Sequence, residues 1–149
     1  MYFCFMLSNI SKYAISALSL IAKNSTKEEK TKVGEIAERY NIPQAFLSKI
    51  LQKLTKTGYL SSMKGPNGGF FLNDVQMNHS VLDIIIELEG EDIFAKCILR
   101  FEACDSDNPC PIHFLINKEK SQINLRLKKI KIKDLIQEKS FERISSEEL

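Results

Sequence analysis

The chain has 149 residues, 44% hydrophobic and 27% charged, with a formal net charge of +2. That length closes one compact core plus a projecting element, not two full domains, and no apolar run approaches the ~20 residues needed to cross a bilayer. The small net charge hides an asymmetry: residues 1–75 carry ten Lys/Arg against five Asp/Glu, whereas residues 82–107 carry two against eight. The first part suits a polyanion and the second would be repelled by one.

Residues 1–7 are apolar but lack a basic leader, sufficient length and a small-residue cleavage site, so the chain reads as cytoplasmic. Translation from Met6 serves as well as from Met1, because the first helical pattern needs nothing before Ser8. Cys4 is accordingly expected to be a small buried hydrophobe and not a ligand. Ile10, Tyr13, Ala14, Ala17, Leu18 and Ile21 repeat at helical spacing and predict a first amphipathic helix. The polar run from Asn24 to Lys30 reads as an exposed loop.

Val33, Ile36, Ala37 and Tyr40 mark a short second helix that stops at Asn41-Ile42-Pro43, since proline disfavours helical geometry in the residue before it. Pro43 can open the third helix, whose buried stripe is Leu47, Ile50, Leu51 and Leu54 and which Gly58 ends. Two helices joined by a tight turn, the second carrying polar residues between apolar anchors, form a helix-turn-helix. The β-compatible runs 59–63 and 70–72 flank Lys64-Gly65-Pro66-Asn67-Gly68-Gly69 and predict a hairpin, the wing. Ser80 and Asp83 cap a fourth helix with the face Val81, Ile84, Ile85 and Leu88, and Gly90 stops it and closes the compact domain.

The expected fold is therefore mainly α with a small β wing: a winged helix-turn-helix over residues 6–90, a cysteine-bearing loop over 91–110, a long helix over 111–132, and a short helix with a polar tail over 133–149. Ile112, Ile116, Ile123, Leu127 and Ile130 share one face of the long helix. So small a domain cannot cover all of it, which predicts pairing of two copies, a homodimer, with folding back on its own domain as the alternative. The tail from Ser140 is polar and expected to be loose.

Residues 42–73 hold Lys49, Lys53, Lys56 and Lys64 and no acidic residue, the pattern of a surface that sits against phosphates. Candidate contacts to double-stranded DNA are Pro43, Gln44, Ala45, Phe46, Ser48, Lys49 and Lys53 on the third helix and Lys64, Gly65 and Asn67 on the wing. The glycine-rich wing lacks a Gly-Lys-Ser/Thr ending and opens no helix, so it is not a nucleotide loop. Cys97, Cys104, Cys110 and His113 form the second constellation, with gaps of six, five and two residues. Soft sulfur donors select iron-sulfur clusters or zinc, and the open spacing suits a loop wrapped around a larger object than a zinc knuckle holds. Pro111 is expected in the first helical turn, which would put the Cys110 sulfur at a helix N-terminus, where thiolate is favoured. No general base or oxyanion site accompanies these cysteines, so the chain is not read as an enzyme and no small-molecule substrate is expected.

Taken together, Ser11-Lys12-Tyr13-Ala14, Ile36-Ala37-Glu38-Arg39, Lys64-Gly65-Pro66-Asn67-Gly68-Gly69-Phe70, Val81-Leu82-Asp83-Ile84 and the three cysteines resemble the Rrf family of winged-helix regulators, over about residues 6–137. The resemblance implies a homodimeric transcriptional regulator that binds operator DNA and responds to a cluster held by Cys97, Cys104, Cys110 and His113. Where family members with an aspartate ligand from the partner subunit place that residue, this chain has Lys12. With His113 as fourth ligand, a two-iron, two-sulfur cluster is favoured over a four-iron one. The competing expectations are a regulator of the same type without a cluster, sensing a protein or small molecule, and a zinc-stabilised DNA-binding protein.

Overall fold

A computed structural model describes residues 7–26, 28–99 and 102–137. Met6, Cys4 and the tail from Ser140 lie outside the described residues. The elements in chain order are α1 (Asn9–Ser25), α2 (Val33–Tyr40), α3 (Gln44–Lys56), β1 (Ser61–Met63), β2 (Gly69–Phe71), α4 (Asp74–Met77), α5 (Val81–Glu89), a 3-10 helix (Glu91–Phe94), α6 (His113–Lys129) and a second 3-10 helix (Ile132–Gln137).

The first helix is the axle of the domain. Its repeat predicts a one-sided apolar face, yet Ala17, Leu18, Ser19, Leu20, Ile21 and Ala22 are all buried, so its second half is covered all round. Small Ala and Ser side chains permit that close approach. Ser8 ties the start of α1 to the end of α5, its backbone N–H and hydroxyl both donating to Glu89 Oε1, at 2.9 and 2.7 Å. The second helix ends where Asn41 adopts the left-handed conformation (φ 51°), which satisfies the C-terminal carbonyls. Pro43 is the residue capping α3, one position earlier than its expected place in the first turn. The α3 stripe Leu47, Ile50, Leu51 and Leu54 faces the core as the periodicity predicts.

The wing strands pair antiparallel with Ser61 opposite Phe71 and Met63 opposite Gly69. Thr31 adds a third rung: its N–H donates to Phe70 O and its carbonyl accepts from Phe70 N, at 2.9 and 2.8 Å. A Cβ on Gly69 would stand 2.9 Å from that Thr31 carbonyl, so the close approach requires glycine. The short α4 was not predicted, because four residues are too few for a periodic signal. It is held by a capping box between Asn73 and Gln76, whose buried amide also donates to Gly58 O at 3.0 Å. The expected cap on the next helix is present: Asp83 N–H donates to Ser80 Oγ at 3.1 Å, and Ser80 N–H to Asp83 Oδ2 at 2.8 Å.

The core does not close at Gly90. After α6 the chain returns: Val81 N–H donates to Ile130 O, Ile132 N–H donates to His79 O, and Ser19 Oγ donates to Leu135 O. Ile132 is fully buried with the core residues of α1, α3 and α5. The sequence puts Ile132 at the end of the long helix, but that helix stops at Lys129 and Ile132 has no periodic partner to mark it as core. The outward apolar positions of α6 also differ from the expected stripe. Of that stripe Ile112, Ile116, Ile123 and Leu127 are half-buried and only Ile130 is exposed (38%), while Phe114 (77%), Leu115 (74%) and Leu125 (59%) stand exposed off the stripe.

Candidate nucleic-acid interface and cysteine site

Helix packing decides what α3 can present. With Leu47, Ile50, Leu51 and Leu54 turned inward, Pro43, Gln44, Ala45, Lys49 and Lys53 stand exposed on the opposite side, with Lys56 beyond them. Phe46 is also exposed, but its ring meets Tyr13 edge-on at 5.8 Å, so one flank is already anchored to α1. Ser48 is half-buried and its hydroxyl donates back to Gln44 O at 2.8 Å, leaving its oxygen lone pairs as the outward function. Lys64, Gly65 and Asn67 are exposed at the wing turn. Gly68 shapes that turn: its N–H donates to Gly65 O, and a Cβ there would meet Met63 O at 2.2 Å. Candidate base and phosphate contacts thus project from two adjoining elements that carry no carboxylate over residues 42–73.

Between α5 and α6 the chain forms a small hairpin. Cys97 N–H donates to Glu102 O and Cys104 N–H to Ala95 O, at 3.0 and 2.8 Å, around the bridged pair Lys96 and Ala103. In such a ladder, residues one step either side of a bridged pair point to the opposite face from it, so Cys97 and Cys104 share a face as diagonal neighbours. Cys110 and His113 arrive from the other direction. His113 N–H donates to Cys110 O at 3.0 Å, closing a tight turn that leads into α6. Pro111 lies in that turn, not in the helix, whose first residue is His113. Both Cys110 and His113 are buried, and the imidazole packs edge-on against Phe114 at 5.1 Å.

These segments border a shallow depression whose lining includes Cys97, Cys104, Cys110 and His113 together with Ile98, Ile112 and Ile116. Lys120 lines it as well, with Nζ 3.6 Å from Cys104 Sγ and donating to Lys96 O. The sequence reading passed over Lys120, although the step from His113 through Ile116 to Lys120 is one helix face and could have found it. Among the described residues no group of three His, Cys, Asp or Glu side chains is gathered closely enough to hold a single metal ion. The donor set is nevertheless of the soft kind that fits an iron-sulfur cluster, whose ligands are divided between two irons and need not meet at one point.

The profile of the Rrf2 family, described as iron-dependent transcriptional regulators, matches residues 7–138. A protein of Aquifex aeolicus carrying the name HTH-type transcriptional regulator is 39% identical over 132 residues, 87% of this chain and 90% of that one. The regulator IscR of Photorhabdus laumondii is 27% identical over 130 residues, 87% of this chain and 78% of its own. Among solved structures, CymR, the global cysteine regulator of B. subtilis, superposes with a TM-score of 0.69 at 22% identity, covering 87% of this chain and 95% of that one. T. potens IscR superposes with a TM-score of 0.68 at 23% identity, covering 97% and 95%. No described helix is long and apolar enough to cross a membrane. With the winged helix, its basic outward face and the profile match over residues 7–138 in hand, the chain belongs to the Rrf2 family of winged-helix transcriptional regulators.

Proposed function

We propose that this protein is a homodimeric, cytoplasmic regulator whose operator binding is modulated by an iron-sulfur cluster held by Cys97, Cys104, Cys110 and His113. One observation carries the reading: three sulfur donors and an imidazole, from a hairpin and a helix-entry turn, line one depression at the base of α6. A two-iron, two-sulfur cluster is favoured over a four-iron one because histidine supplies the fourth donor. Zinc fits less well, since the gaps of six, five and two residues between the donors are more open than the paired spacing of a zinc knuckle.

The route from site to DNA is short. The α6 helix begins at the donors and ends at Ile130, whose carbonyl accepts from Val81 N–H, next to the buried Ile132. Ordering the donors therefore biases where α6 leaves the DNA-binding core. In a homodimer paired through the outward face of α6, with Phe114, Leu115 and Leu125 exposed on it, that bias sets the separation of two recognition helices. Dimeric readers must match half-sites about 34 Å apart or a multiple of that spacing. The cluster, when bound, supplies a redox- and oxygen-sensitive centre; the protein's own groups do the positioning. The DNA contacts proposed are Gln44, Ser48 and Lys49 toward bases or phosphates, Lys53 toward phosphates, and Lys64 with Gly65 and Asn67 at the neighbouring minor groove.

Anaerobic loading with iron and sulfide, followed by a visible spectrum and iron and acid-labile sulfide analysis, tests the ligand set. The wild-type protein should become coloured with equal iron and sulfide, and Cys110→Ala should not. A protein that stays colourless while retaining zinc would establish the zinc reading instead.

A further inference from the structure

Lys120 is a long cationic side chain on a face otherwise turned toward the domain, and its ammonium reaches into the depression that the four candidate donors line. It donates to the Lys96 carbonyl, in the hairpin, and lies 3.6 Å from Cys104 Sγ, a donor atom on the same hairpin. Among the described residues Lys120 makes no ion pair with a carboxylate, whereas Lys96, in the hairpin, pairs with Asp92. The neighbourhood offers many carboxylates, with Glu91, Asp92, Glu102, Asp105 and Asp107 in the same loop region. An exposed lysine would be expected to face one of them. Lys120 instead spends its donors on a backbone carbonyl and a sulfur.

Two consequences follow. Among the described residues two backbone hydrogen bonds flank the one bridged pair of this hairpin, and so short a ladder is only marginally stable by itself. A link from α6 to the Lys96 carbonyl pins the rung between Cys97 and Cys104, so α6 holds the hairpin donors in register with Cys110 and His113. Secondly, cysteines that ligate a cluster would bring negative charge into a site walled by isoleucines, and a cation beside one of them would offset it. We infer that Lys120 is a positioning residue of the cysteine site, strapping the donor hairpin to α6 and neutralising charge beside Cys104. This rests on the proposed cluster reading for its second role only; the strap belongs to the metal-free protein.

The test uses the full-length chain with Lys120→Met, Lys120→Gln and Lys120→Arg. In the metal-free state, hydrogen exchange followed by mass spectrometry should show peptides spanning 95–104 exchanging about threefold to tenfold faster in Lys120→Met, as expected for loss of a partly exposed charged hydrogen bond. Lys120→Arg, which can still donate to the carbonyl, should stay near wild type, and peptides of α3 should be unchanged in all. After anaerobic loading, the midpoint potential should fall in both Lys120→Met and Lys120→Gln, because the reduced cluster carries the greater negative charge, and should be retained in Lys120→Arg. Unchanged exchange at 95–104 in Lys120→Met, or equal potentials across the series, would overturn the assignment. If exchange changes as stated but the wild-type protein takes up no iron, the strap stands and the cluster reading fails.

Discussion

Removing the side chain of Ile132 probes the return of the chain after α6, the connection on which any signalling from the cysteine site depends. Ile132 is 0% exposed and sits with the core residues of α1, α3 and α5. Ile132→Ala deletes the side chain beyond Cβ, three carbons worth ~0.8 kcal/mol each, so about 2.4 kcal/mol in transfer alone. The cavity left behind raises the total to roughly 3–4 kcal/mol. At about 3 °C per kcal/mol for a domain of this size, the melting temperature should fall by roughly 10 °C. Calorimetry on the metal-free protein reads it, with Val75→Ala, whose side chain is 72% exposed, as a control expected within about 0.5 kcal/mol of wild type. A melting temperature for Ile132→Ala within about 2 °C of wild type would refute the placement of this segment in the core.

Other expectations are narrower. Lys49→Ala, Lys53→Ala and Lys64→Ala should each weaken operator binding and lower the slope of log affinity against log salt by about 0.9 where the lysine meets a phosphate, measured by fluorescence anisotropy across a salt series. Gly68→Ala places a Cβ 2.2 Å from the Met63 carbonyl, so it should distort the wing and weaken operator binding in the same assay. Ser80→Ala removes the acceptor that caps α5 and should cost about 1 kcal/mol in chemical denaturation. The Tyr59 phenol is held above its ordinary pKa by burial, then by Asp83 and Glu87. The neutral phenol therefore contributes stability below the ordinary pKa of 10.0 that is lost as pH rises through the raised folded value. Tyr59→Phe should flatten that alkaline loss.

Much of the DNA-binding half was legible because its signals are local. The Leu47, Ile50, Leu51 and Leu54 stripe, the Ser80 and Asp83 cap, and the glycines between the wing strands each declare themselves within a few residues. Thr31, Gln76 and Ile132 were not legible because each is defined by partners far along the chain: Phe70, Gly58 and the α1 core. At the cysteine site the residue types marked Cys97, Cys104, Cys110 and His113, but spacing alone could not say that a hairpin turns the first two to one face. Nor could it say that Lys120, seven residues into the helix after His113, reaches the same depression.

The central claim, that the cysteine site controls DNA recognition, is tested most directly by measuring operator affinity anaerobically for cluster-loaded and metal-free protein at one salt concentration. The account predicts that the two forms differ in affinity for at least one operator and that His113→Ala, loaded the same way, narrows the difference. Identical affinities for every operator tested, with iron and sulfide verified in the loaded sample, would contradict it.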